Sequence, residues 1–174
     1  MKKSIHVCRF LLMLSLLTGC SDASDDGRGK NIPAGLPADP GVAGKKTLAG
    51  IDSDNDGVRD DIQRCIAIEY QDSEKTRRVL TDKAKADQAF MLNADDKEKV
   101  LEANAEQHKA IDCLWYIDPE TASTNFRKLK AQVLNTEERI RAWRKADSHL
   151  GGMTFSLPLD GKAQCNFDPD QLEN

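Results

Sequence analysis

Asp52-Ser53-Asp54-Asn55-Asp56-Gly57-Val58-Arg59-Asp60-Asp61 runs without a break into Ile62-Gln63-Arg64-Cys65-Ile66-Ala67-Ile68-Glu69. An acidic loop thus leads directly into an amphipathic pattern, with Val58, Ile62, Cys65, Ile66 and Glu69 at helical spacing. Aspartates at alternate positions bring several carboxylate oxygens around one point, and the glycine permits the sharp turn that closes them. Five acids within ten residues repel one another strongly unless a cation lies among them. A hard, oxygen-seeking cation of calcium's size suits such a donor set.

Counted from Asp52, the first, third and fifth loop positions are Asp52, Asp54 and Asp56, and Gly57 is sixth. Val58 would offer its backbone carbonyl at the seventh, and Asp60 is placed at the ninth to act through water. The twelfth position, a bidentate Glu in an EF-hand, is Gln63, which supplies one neutral oxygen. The expected affinity is therefore weak, about 10⁻⁴–10⁻³ M. The eighth position, apolar where two EF-hands pair, is Arg59, and there is one copy of the loop. Asp52 to Asp60 resembles the single calcium loops of thrombospondin type 3 and dockerin type, which implies an ion and no activity.

Downstream, a second helix is expected from Ser73 to about Asn93, with Val79, Leu80, Ala84 and Phe90 inward. A third runs from about Asp95 to Ile117, with Val100, Leu101, Ala105, His108, Ile111, Leu114 and Trp115 on one side. Asp118-Pro119-Glu120 signals the start of a fourth helix that buries Ala122, Phe126, Leu129 and Val133. Asn135 and Glu138 resemble a capping box for a fifth, which carries Ile140, Trp143 and Leu150 and stops at Gly151-Gly152. Met153 to Leu159 is the single stretch that allows a short extended piece. These patterns give an all-α domain of four or five short helices in 51–174, with an irregular C-terminal tail, 151–174. Aromatic residues are 5% of the chain, so the core is thin and a disulfide would help it.

At the other end, Lys2 and Lys3 precede the apolar run Phe10 to Leu17, too short to span a bilayer. Leu17-Thr18-Gly19-Cys20 resembles the lipobox of bacterial lipoproteins. That resemblance implies cleavage of residues 1–19, lipid on Cys20 and, with Ser21 next, an outer-membrane destination in a Gram-negative envelope. Residues 20–50, rich in Gly, Pro, Ser and Asp, then read as a flexible tether. The remaining chain carries 22 basic and 29 acidic residues, a formal charge of −7, which argues against nucleic-acid binding.

Cys65, Cys113 and Cys165 remain for disulfide chemistry. Cys113 points away from the stripe of Ile111 and Trp115 and so suits a bond to the crossing tail, giving Cys113–Cys165 and leaving Cys65 a buried thiol. Cys65–Cys113 is the alternative. His108, one turn from Asp112, reads mainly as a boundary histidine rather than a catalytic one. Arg127, Lys128, Lys130, Arg139, Arg141, Arg144 and Lys145 make the fourth and fifth helices basic. The plainer reading is a solvated face, the functional one a contact with an anionic neighbour.

The chain resembles small bacterial lipoproteins of unknown role that carry one calcium loop before a helical domain. The expectation is a non-enzymatic, calcium-stabilised envelope module with an unidentified protein partner. The alternatives are a periplasmic immunity or inhibitor lipoprotein and an enzyme using Cys65 or His108.

Overall fold

The computed structural model describes residues 32–156 and 160–172. It is helical: α1 is Asp60–Glu69, α2 Glu74–Leu92, α3 Lys97–Ile117, α4 Ala122–Val133 and α5 Glu137–Ser148. Short 3₁₀ turns lie at Gly41–Lys45, Lys162–Gln164 and Pro169–Gln171, and there is no strand among the described residues. Residues 153–156 are irregular, and the rest of the expected extended piece, 157–159, lies outside the described residues.

Local chemistry sets the helix starts. Ser73 Oγ accepts from Thr76 N at 3.2 Å to open α2, and Asp96 Oδ1 accepts from Glu98 N and Lys99 N to open α3. The last two helices begin differently from the sequence expectation. Asp118 accepts from Thr121 N at 3.0 Å, so Pro119 and Glu120 form a turn and α4 begins at Ala122. Thr136, not Asn135, caps α5 by accepting from Arg139 N at 3.2 Å. Asn135 is engaged elsewhere, as described below.

The central pair is α2 with α3, against which the other helices pack. Val79, Leu80, Ala84, Phe90 and Met91 of α2 are buried, as are Ala122, Leu129 and Val133 of α4. On α3 the inward face is rotated from the expected one. It holds Val100, Ala103, Asn104, Gln107, Ala110, Cys113 and Leu114, while Trp115 is 46% exposed and Ala105 faces out. The small Ala103 and Ala110 permit close packing, and the bulkier residues fall to the edge.

Cys113, read as outward, is 1% exposed. It nevertheless forms the disulfide with Cys165, over 52 residues and 5.0 Å between Cα atoms. The tail enters because Gly161 lies flat on α3: a Cβ there would sit 2.9 Å from Asp112 O. Phe167 then lies under the Arg78 guanidinium, 5.5 Å from ring centroid to Cζ. Cys65 is half-buried rather than enclosed and is not the free thiol expected.

On α5, Ile140 is exposed and the buried residues are Ala146 and Arg139. Arg139 is wholly buried because carbonyls surround it: its Nη2 donates to Gly44 O at 2.7 Å and Thr47 O at 3.1 Å, and its Nε to Leu48 O at 3.2 Å. Arg64 Nη1 holds Pro37 O at 2.9 Å, and Gln88 Nε2 holds Ala49 O at 2.7 Å. The folded domain therefore begins near Pro37, and the expected tether is too long at its C-terminal end. Three side chains from separate helices fix residues 37–49, whose composition alone reads as loose.

Burial lowers the Arg139 pKa to about 10, with the nearby Arg59 charge adding to the fall and Asp61 opposing it. It stays charged at neutral pH. Arg139→Met strands four acceptors and should cost about 3 kcal/mol in urea unfolding. It should also open Lys45 and Lys46 to trypsin in the native state; unchanged stability and unchanged cleavage would contradict the clasp.

Candidate metal centre

One oxygen from each of Asp52, Asp54 and Asp56 lies within 4.8 Å of the others. The loop that gathers them is built by its own side chains. Asp52 accepts from Asp56 N at 3.2 Å and Gly57 N at 3.0 Å, and Asp56 Oδ1 accepts from Val58 N at 2.7 Å. Two left-handed residues, Asn55 (φ 56°) and Gly57 (φ 88°), make the reversal between them; Asn and Gly tolerate that region best. Val58 then drops into the core at 1% exposure and pins the end of the loop. Its carbonyl stands as a sequence expectation.

The other two acids do not join the cluster. Asp60 is 3% exposed, and its Oδ1 accepts from Ser53 N at 2.9 Å and Ser53 Oγ at 3.2 Å. Its backbone N donates to Ile51 O at 2.8 Å. Asp60 thus ties the start of the loop to α1, and its ninth-position role through water stands as a sequence expectation. Asp61 is paired with Arg59, Oδ1 to Nε at 2.8 Å and Oδ2 to Nη2 at 2.9 Å. Burial by itself would raise the Asp61 pKa, but hydrogen bonds and charge from Arg59 leave it below the usual carboxylate value. Three carboxylates therefore gather at one point, and the charge of Asp61 is offset by Arg59.

Arg59, the departure at the eighth position, is 1% exposed. Beyond Asp61 it donates to Val133 O and Gln132 O, each at 3.1 Å. These carbonyls end α4, where the helix leaves acceptors unpaired and its dipole favours a cation. Asn135 Nδ2 donates to Asp61 Oδ2 at 3.1 Å, while Asn135 Oδ1 accepts from Arg139 Nη1. A continuous chain of polar contacts therefore joins the acidic loop to α4, α5 and residues 44–48. Gly50 sits between the two arginines at φ 73°; a Cβ there would be 2.4 Å from Arg59 Cδ and 2.8 Å from Arg139 Nη2.

Gln63 reaches the cluster from the next turn of α1, with Nε2 donating to Asp54 Oδ2 at 3.1 Å. That contact is the leading cause of the lowered Asp54 pKa. Its Oε1 is buried without a hydrogen-bond partner. An amide turned by half a revolution would present that oxygen to the cluster, an arrangement that repels the carboxylates unless a cation intervenes. The donor set, three carboxylates and an orphaned amide oxygen, fits a hard cation. Lys85 Nζ lies 3.9 Å from Asp56 Oδ2 and competes with it. Gln63 and Lys85 also line a surface groove of about 470 Å³ between α1 and α2, floored by Leu36, Ile66 and Ala67.

His108 stacks on Phe155 with 5.3 Å between ring centroids, and His149 Nε2 lies 3.1 Å from Ala94 O. Both contacts are of a structural kind. No protein-family model, curated protein or solved structure matches this chain.

Gln63→Glu should strengthen calcium binding about tenfold by calorimetry, since it restores charge and a second oxygen. An unchanged affinity would place Gln63 outside the ion's shell. Because Asp54 holds its proton less tightly than an ordinary carboxylate, affinity should stay level from neutral pH to about 5 and fall below about 4.

Proposed function

We propose that this chain is a lipid-anchored envelope protein whose helical domain is stabilised by calcium and works through contacts with a protein or the envelope rather than by catalysis. The observation that carries the calcium part is the convergence of Asp52, Asp54 and Asp56 on one point at the start of α1. The loop is already shaped by hydrogen bonds to its own carboxylates, and each of these retains lone pairs for an ion. A bound ion would then fix the chain's path into α1 and lend the domain stability by mass action.

The anchor rests on Leu17-Thr18-Gly19-Cys20, outside the described residues. A contact role is supported by the groove beside the loop and by the exposed Trp115, Tyr116 and Phe155 at and near the end of α3.

Calcium at ten times its dissociation constant should add about 1.4 kcal/mol to unfolding. In Asp54→Ala combined with Asp56→Ala that gain should vanish, while the fold is kept. No shift at several millimolar calcium would reduce the loop to a hydrogen-bonded turn. The anchor is checked on protein extracted from bacterial membranes: intact mass should show a lipid-modified Cys20 that Cys20→Ser abolishes. One sulfur carries lipid or a disulfide, not both, so a Cys20–Cys65 bridge in that protein would end the lipoprotein reading.

A further inference from the structure

Charge in this domain is divided between two poles. The segment from Ala122 to Ser148, α4 and α5, has seven basic and three acidic residues, a net +4. The rest of the chain from Cys20 has 15 basic and 26 acidic, a net −11. The fold removes one of those seven from the surface, since Arg139 is the buried clasp. The other six, Arg127, Lys128, Lys130, Arg141, Arg144 and Lys145, are exposed.

Their pairing differs. Lys145 meets Asp95 and Arg141 meets Glu137, and Lys130 lies over the Trp143 ring at 4.4 Å. Among the described residues, Arg127, Lys128 and Arg144 have no acid within salt-bridge distance. Lys130 reaches from α4 to the Trp143 ring of α5, so the two helices adjoin there. Exposed Ile140 adds an aliphatic side chain among them, while Trp143 packs on Phe90 with 4.7 Å between ring centroids and belongs to the core. Cations beside an exposed aliphatic side chain suit a phosphate-bearing bilayer, where the cations take the headgroups.

The length of chain ahead of the domain favours that occupant. The described chain starts at Ile32 and is fastened from Pro37 onward. Seventeen residues from Cys20 to Pro37 span at most roughly 60 Å, against the roughly 100 Å of a tether that ends at residue 50. On the lipoprotein reading above, the shortened leash keeps the domain near the bilayer at high effective concentration. The acidic remainder is repelled by an anionic surface, so the basic pole turns toward it.

We propose that the exposed face of α4 and α5, centred on Arg127, Lys128 and Arg144, docks on the anionic phospholipid surface to which the chain is anchored. The lipid holds the domain at the bilayer, and the basic face orients it there.

The test uses the chain from residue 20 with Cys20→Ser, which separates docking from lipid attachment. It is sedimented in EDTA with vesicles of phosphatidylcholine, alone or with about one-third phosphatidylglycerol. Partitioning onto the anionic vesicles should be at least about tenfold higher and should fall with added salt. Arg127→Glu, Lys128→Glu and Arg144→Glu together should abolish it at unchanged melting temperature; Lys130 is left in place because it packs on Trp143. Equal partitioning onto both vesicles, or full binding by the triple variant, would overturn the proposal. Loss of lipid mass on Cys20 would instead overturn the anchor and leave this partitioning intact.

Discussion

Two arginine side chains buried in a small helical domain are costly unless nearly every donor is met, because an unpaired guanidinium loses its hydration for nothing. Arg59 and Arg139 meet that condition by collecting acceptors from parts of the chain that share no apolar reason to meet. Arg59 takes the Asp61 carboxylate and the last carbonyls of α4. Arg139 takes three carbonyls of residues 44–48 and the amide oxygen of Asn135. Asn135 closes the circuit to Asp61. With few aromatic residues to fill a core, a polar network of fixed geometry specifies what apolar packing leaves loose.

The acidic loop inherits its shape from that network. Arg59 and Val58 fix its far end, Asp60 and Ser53 its near end, and Asp61 is withdrawn to neutralise Arg59. What remains for a cation is a three-carboxylate cup with an amide beside it and an ammonium group nearby. Such a site has less charge than the ten-residue acidic run suggests, and it is better organised. Organisation lowers the ordering cost of binding, and the missing twelfth-position carboxylate lowers the attraction. The two effects act against each other, and the expected result is a modest affinity with a structural role.

The helices were legible because their signals are local. Ser73, Gly151-Gly152 and the apolar spacing of α2 and α4 each report on neighbours within four residues. The convergence of Asp52, Asp54 and Asp56 was legible for the same reason. Long-range roles were not. Nothing near Arg139 or Arg59 in sequence announces the carbonyls they meet 91 and 74 residues away. The Gly- and Pro-rich stretch before residue 50 reads as tether until its carbonyls are seen to accept from Arg64, Gln88 and Arg139. On α3 the large apolar residues suggested the wrong inward face, since close packing against α2 selects alanine over bulk. The Cys113–Cys165 bond was anticipated from an outward Cys113 although that residue is buried. Arg59 at the eighth loop position was the one available clue, as a charged residue where an apolar one is usual.

Asp61→Asn addresses the central claim directly, since it removes the charge that both buried arginines lean on while leaving Asp52, Asp54 and Asp56 untouched. Urea unfolding with and without calcium should show a loss of about 3–5 kcal/mol and weaker calcium binding through a loosened loop. A variant that unfolds and binds calcium like the parent would show that the loop and the clasp stand without the buried network.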